Sequence, residues 1–583
     1  MNKRELNQGK PQGFVLVSII MLSVILEGFA TASLLQQLRE FRMFRFNQMK
    51  TASIYAAQGA IEQGLFLLAD RIANFAVTQI NPNTDYTVTY SDGRTTGTYR
   101  IRCAPPTAPS TPLDQCPVVT INENGFAKRT QNYEVIGSAT SPDSAPFLTA
   151  MPAIASSKIH QIVAAKQTGI FSYSIFYNSD LEALPGANMS ITGKIHANGD
   201  IYLGERDGNT LTIDTTYVHS TDHFYRTRKD NPSDLMTGTV NIRKTGTSGG
   251  CTSITCPAMT LSPLLDSTTA GWTSTATSTW SGTVQDGTHG VGFVQPVTIP
   301  SIQVGGFYYN NAGLRIVDGQ IYQRQVGGSY NNITSAVSSN CPNAVTNRQF
   351  RNQRENVNYD VVVTEIDISK LNGTNCSTNY FPANGLIYAT RTTAVPASGK
   401  TSVTSHGVRI VNGAQATPTG SSAGLTVVTN DPLYIKGNFN TTNKRSVALI
   451  SDAFNILSGS WNDSNSSQSI SNRVASDTTV NAGLVTGIVP TNGSNYSGGV
   501  ENYPRFLENW SGKNANISGA FINLWDSQIG TGRWPGTGSV YNPPTRNWTY
   551  DGSLDSTPPP FTPVGVEMST KTWWQEAKES VYL

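Results

Sequence analysis

Charge is scarce in this chain. Of its 583 residues only 14% are Asp, Glu, Lys or Arg, and the formal net charge is +2. So little charge builds no basic patch for phosphates, and nucleic acid is not an expected partner. Signatures of nucleotide and metal chemistry are missing as well: there is no Walker A loop, no GxGxxG after a strand and no HExxH. The six cysteines form no CxxC, and no His lies within a few residues of any of them, which counts against zinc. The Ala, Glu, Lys and Leu richness of helical enzymes is also lacking. What replaces it is 52 Gly, 30 Pro and many Ser, Thr and Asn, the composition of short strands joined by turns. With 23 Tyr, 21 Phe and 9 Trp the chain has the aromatic mass for packed cores, which argues against disorder. Its length leaves room for two to four domains.

The one long apolar run opens the chain. Residues 1–13 (MNKRELNQGKPQG) are polar and basic. Residues 14–35 (FVLVSIIMLSVILEGFATASLL) are apolar apart from Ser18, Ser23, Glu27, Thr31 and Ser33. About twenty such residues cross a bilayer. The run continues without Pro into a stretch with apolar residues at helical spacing: Leu38, Phe41, Met43 or Phe44, Ile54, Ile61, Leu65, Leu68 and Ile72. A helix from Phe14 to Phe75 would be on the order of 90 Å long. A signal peptide has a shorter apolar core followed by a cleavage site; a plain signal anchor is the alternative. Arginines 39, 42 and 45 oppose Lys3, Arg4 and Lys10, so charge does not set the orientation. The cysteines and Asn-rich loops favour export of the C-terminus. Glu27 sits at a depth where a charge is costly; it meets a protein partner or lies close enough to the membrane edge to reach water.

These residues resemble the type IV pilin-like proteins, and within them the PilX-type minor pilins. The likeness rests on the basic leader ending in Gly13, on Phe14 opening the run, and on AAQGAIEQGL at 56–65. The resemblance implies cutting by a prepilin peptidase between Gly13 and Phe14, methylation of the new terminus, and residence in the inner membrane with the C-terminus periplasmic. Assembly with other pilins or pseudopilins through the helix would then bring the chain to a pilus or the cell surface. Most pilins carry Glu as fifth mature residue; here Ser18 stands there, which suits a minor or tip subunit of a pilus or a type II secretion pseudopilus. FYNSDLEALPGANMSITGKIHANGDIYLG, GLTVVTNDPLYIKGNFN, SDAFNILSGSWND, YSGGVENYPRFLENWSG and YNPPTRNW resemble a large extracellular domain found behind PilX-like N-termini. That likeness brings architecture and no chemistry; the external ligand stays unknown.

The expected fold class is α+β: the long helix with a small antiparallel sheet, followed by a large mainly-β domain. Period-2 runs at 86–90, 97–103, 116–121 and 133–140 supply the small sheet. The division is leader 1–13, membrane part 14–35, helix and sheet 36–148, linker 149–172, and β-rich domain 173–583 with a loop-rich insertion near 230–355. Recurrent strand–Gly–strand units at 175–204, 432–440, 480–489 and 515–524 read as a solenoid, by expectation a parallel β-helix, with a β-sandwich or propeller as the alternative. The cysteines fall in three sequence-local couples, Cys103/Cys116, Cys251/Cys256 and Cys341/Cys376. In an exported chain these read as local disulfides, although fifteen connectivities are open.

Candidate chemistry is sparse. His219, Asp222 and His223, with His196 and Asp200, would suit a metal if helical, but their surroundings read as strand and loop. The loops 204–210 and 461–469 offer oxygens for a structural Ca²⁺, without the EF-hand template; Asx turns are the plainer reading. No other cofactor is expected. Glu501, Glu508, Asp526 and Asp551 lie among Arg505, Arg533, Arg546, Trp510, Trp525, Trp534 and Trp548. Paired carboxylates beside aromatics describe glycosidases, so a membrane-anchored carbohydrate-active enzyme is the rival to a non-enzymatic display protein. The expected role of the block is structural, with Arg505 paired to Glu501 or Glu508 and Trp510 buried beside Tyr503 and Phe506.

Overall fold

A helix of 62 residues, Gln12–Ala73, opens the computed structural model, which describes residues 12–576 apart from 94, 143–153, 207, 397–402, 494 and 498. The leader up to residue 11 lies outside the described residues. No Pro interrupts the helix, and its end is marked by Phe75 in the left-handed region (φ 57°). Its two halves differ in surroundings. Val15–Leu35 is exposed along its whole length, whereas Ala56, Ala57, Ala60, Ile61, Leu68, Ala69 and Ile72 are buried against a sheet.

That sheet runs in the order Tyr86–Thr89, Thr96–Cys103, Phe126–Pro142, Ile154–Gly169, Val564–Gln575, with Val118–Glu123 beside the start of the third strand. All its pairings are antiparallel. Alanines on the helix and glycine on the strand let the backbones approach closely. A Cβ on Gly137 would run into the Ala57 carbonyl, and one on Gly64 would come within 2.9 Å of Val135. Two features differ from the sequence reading. Ile154–Gly169, placed in the linker, is a full strand: Ile159, Val163 and Ala165 reach the helix-side core from it, although apolar Ile162 and Ala164 beside them break the strict alternation. The edge strand comes from the far end of the chain, a pairing that no local pattern reveals.

The remainder is mainly β and parallel. Ile175–Tyr177, Leu181–Ala183 and Met189–Thr192 make one turn of chain over three sheets. Ile195–Ala197, Ile201–Leu203 and Thr210–Asp214 lie in register upon them, followed by Val218–Ser220, Phe224–Tyr225 and Thr239–Ile242. A second stack alternates between two sheets. Asp360–Asp367, Val403–Val411, Pro432–Lys436, Ala453–Leu457 and Arg505–Phe506 form one, and Leu386–Thr390, Leu425–Val428, Val447–Ser451, Thr478–Ile488 and Asn514–Asp526 the other. Asn514–Asp526 also pairs with Ile175–Tyr177, so both stacks share one 13-stranded sheet.

Ile201, Leu211, Ile213, Val218, Val240, Leu425, Val427, Val447 and Leu449 stack inside, fully buried. Each such side chain contributes roughly 1.5–3 kcal/mol. One end is closed by antiparallel strands at 314–332 and 345–350, the other by the helix Trp272–Trp280 with both tryptophans buried. Residues 230–355, read as loops, therefore contain both caps. Their short elements, broken by Gly, Ser and Thr, left no period in the sequence.

Candidate functional surfaces

The first surface is the free half of the helix. Its best 18-residue window has a mean hydropathy of 2.2 with none of its residues buried, and it is the one helix among the described residues long and apolar enough to cross a membrane. Phe29 is 71% exposed. The hydroxyls of Ser23 and Thr31 donate back to the carbonyls of Ile20 and Glu27 (2.9 and 2.7 Å), which satisfies them without water. Gly13 and Phe14 lie in the first turns of this helix, and Glu27 is exposed midway along it.

At its other end the helix is fastened to the β-rich part. The Asn74 side-chain oxygen accepts from Thr298 N (2.9 Å), Thr298 Oγ1 (3.0 Å) and Ser301 Oγ (2.6 Å), while its Nδ2 donates to Asp70 (2.7 Å). Phe75 stacks on Phe307 with centroids 4.2 Å apart. Lys128, paired with Glu567 at 2.7 Å, ties the helix-side sheet to its C-terminal strand.

The second candidate is the 496–510 block, and the sequence reading of its ion pairs needs correction. Arg505 pairs with neither Glu501 nor Glu508; it binds Glu355 Oε1 and the Gly530 carbonyl, both at 2.5 Å. The strand Arg505–Phe506 sends Phe506 inward and Arg505 outward, under the loops at 355 and 530, so residues close in sequence face different layers. Glu501 accepts from Tyr496 Oη (2.8 Å), Gly499 N (3.1 Å) and Leu184 N (3.3 Å). Glu508 accepts from Ser458 N and Oγ, both at 2.6 Å. Burial pushes the Glu508 carboxyl up to about 7 against the pull of those bonds. Trp510 is fully buried, 5.2 Å from Phe506 and nearly edge-on; Tyr503 meets Phe521 at 5.6 Å.

Asp551 binds Lys444 at 2.7 Å and Asp526 is exposed on the surface. Arg546 donates to the Glu501 carbonyl (2.8 Å), and Trp548 stacks on Phe521 (4.9 Å). Glu501, Glu508 and Asp551 each hold a separate piece of backbone, at Leu184, Ser458 and Ser553. The sequence reading missed Glu182. It lies in the strand Leu181–Ala183, accepts from Thr491 Oγ1 at 2.5 Å, and is pushed up to about 7, mainly by burial and further by nearby Glu501. An acid between two apolar strand residues was its only signal.

The histidines are packed as ring steps. His196 and His219 are register partners on adjacent strands. His196 stacks on Phe176 and binds Asn198 (3.1 Å); burial pulls it down to about 4. His219 stacks on Tyr217 at 3.6 Å and is lowered to about 3 by burial and then by His196. His223 sits at the surface, 3.4 Å from Asp200. Among the described residues no three His, Cys, Asp or Glu side chains converge as a metal site. In the 461–469 loop Asn462 accepts from Ser464 N in an Asx turn, and Asp463 binds Arg409 (2.7 Å). In the 204–210 loop Asp207 lies outside the described residues, and Glu205 accepts from Arg206 N (2.9 Å). Disulfides join Cys103–Cys116, Cys251–Cys256 and Cys341–Cys376, with Cα atoms 5.4, 5.3 and 5.6 Å apart.

No protein-family model and no curated relative matches the chain. Among solved structures it is similar to the competence-associated pilin ComZ from Thermus thermophilus, at 9% identity over 91% of this chain and 97% of that one, with a TM-score of 0.25. At that TM-score the likeness carries no structural argument.

Proposed function

We propose that the chain is a minor pilin-like subunit, of the PilX type, that displays a large extracellular β-domain. One observation carries the reading: a single unbroken helix that is exposed throughout Val15–Leu35 while its second half is packed into a folded sheet. In this reading the free half is held by the inner membrane first and by the helices of other pilins or pseudopilins after assembly. Prepilin peptidase cuts between Gly13 and Phe14, and the folded part lies in the periplasm and then on a pilus or the cell surface. The three disulfides suit that oxidising route.

Size favours a tip or low-abundance position. A helix is about 10 Å across, whereas a folded part of ~500 residues has a radius of gyration of roughly 23 Å, so adjacent subunits carrying such domains would collide. The stacked parallel strands support a β-helix built for display. The carboxylates of the 496–510 block support a structural role over catalysis, because each is buried and engaged with backbone. The test is to place cysteines along 18–34 in place of single residues and oxidise filament-bearing cells. Cross-links to other pilins are the expected result; a cross-link-free chain confined to the inner membrane refutes the proposal.

A further inference from the structure

Most of the outward surface of the 13-stranded sheet is covered. Phe176, Tyr388, Val428, Ile450, Val485 and Ile522 are buried in one cluster with Phe171, Tyr173 and residues of the 294–312 segment. The first halves of its longest strands are different. On Thr478–Ile488 the outward residues Thr479 and Asn481 are half exposed; on Asn514–Asp526 the same holds for Asn514, Asn516 and Ser518. The adjoining Thr545–Tyr550 turns Thr545, Asn547 and Thr549 fully outward. Register places them in rows across the strands: Thr479–Asn516–Asn547, Asn481–Ser518–Thr549, and Asn514–Thr545.

The surface then continues onto the neighbouring stack. The Thr192 hydroxyl lies 3.5 Å from Tyr550 N, and the rows Ser190–Thr212–Asn241 and Thr210–Thr239 extend it. All these positions bear only hydroxyl or amide groups. Ionisable groups stand at the margins, and they are engaged: Asp214 with Arg243, Lys444 with Asp551, and Asp477 with Asn514 N. The rows are also held in place. Asn516 Nδ2 donates to Thr479 Oγ1 (3.2 Å), and Asn547 Nδ2 donates to Asn516 Oδ1 (2.9 Å). Each amide keeps further donor and acceptor capacity toward solvent.

We infer that this flat face binds an uncharged polysaccharide laid across the strands. Three features select that ligand. The rows themselves carry no ionisable group, and the one ammonium that reaches them, Lys444 at 3.4 Å from Ser518 Oγ, is neutralised by Asp551, so a charged polymer finds little to offset the loss of its hydration. Hydroxyl and amide groups both donate and accept, which matches sugar hydroxyls that do the same. Strand spacing of about 4.8 Å sets the step between members of a row, close to the rise of one pyranose unit, so successive sugars meet successive hydroxyl or amide groups of the same row. Rows already fixed by their own hydrogen bonds lose little freedom on binding. The inference rests on the display reading only for its setting outside the cell. The binding itself is a property of the purified chain, so it can fail while assembly stands, and the reverse.

The test is depletion of the purified full-length chain, in detergent micelles, onto cellulose and chitin powders, with immobilised heparin and polygalacturonate as charged comparators. Retention on at least one neutral polymer and on neither charged one is expected. Asn547→Lys with Thr549→Lys should weaken retention at least about tenfold, since the new charges must lose water, while Ser471→Lys, exposed elsewhere, leaves it unchanged. Asn547→Ala, which removes the amide without adding charge, should weaken it roughly three- to tenfold. Melting temperatures of all variants are compared with the parent, and the alanine variant decides if the lysine pair unfolds. No retention on any neutral polymer, preference for the charged ones, or equal retention by the Asn547→Ala variant overturns the inference.

Discussion

Glu508 shows how single residues serve the fold. It is buried with its carboxyl raised from 4.5 to about 7. The folded state therefore favours the protonated form, and the contribution is fully present below pH 4.5 and is lost as pH rises through 7. The raised value corresponds to roughly 3 kcal/mol at most. Glu508→Gln keeps the acceptor for Ser458 and removes the charge, so its denaturation midpoint should exceed that of the parent at pH 8 and match it near pH 4.5. A variant less stable than the parent at pH 8 would show that the ionised carboxylate is what holds Ser458. Arg505→Ala should cost about 3 kcal/mol by removing a buried guanidinium from mostly buried Glu355, which keeps only Gly532 N, and Trp510→Ala about 3–5 kcal/mol through its cavity, both read by chemical denaturation. At this scale the sequence showed that the 496–510 block is dense in interactions. It hid the partners, because stacked strands bring Arg505 to Glu355 across 150 residues.

The long helix was legible as an element because its apolar run and helical spacing are continuous, and so were the four period-2 strands before residue 140. The strand 154–169 was not, since Lys, His and Gln between short alanines blur its alternation. The strand 564–575 finds its partner only in three dimensions. Helix and sheet meet through contacts too tight for side chains, so Gly137→Val should separate them. Limited proteolysis is expected to cut this variant within 50–75, whereas the parent resists there. The joint at Asn74 depends on one side-chain oxygen accepting three bonds. Asn74→Ala should leave the melting of the β-rich part unchanged but raise hydrogen exchange at Thr298; unchanged protection there would mean that the Phe75–Phe307 stack alone fixes the joint.

The whole molecule joins a membrane-length helix to stacked parallel strands in one covalent unit, and its C-terminal strand returns to complete the sheet on which the helix rests. Composition announced the β-rich class, and the recurring strand–Gly–strand units announced stacking. The joining of two stacks in one sheet needed coordinates, because the long strand 514–526 reads the same whether one or two neighbours flank it. The central claim, that the free helix belongs to a pilin-like subunit, is tested most directly at its first residues. Filaments sheared from cells would be digested and the N-terminal peptide of this chain read by mass spectrometry. The expected peptide begins at Phe14, methylated on its amino group. A peptide in assembled material that retains residues 1–13 would contradict the account.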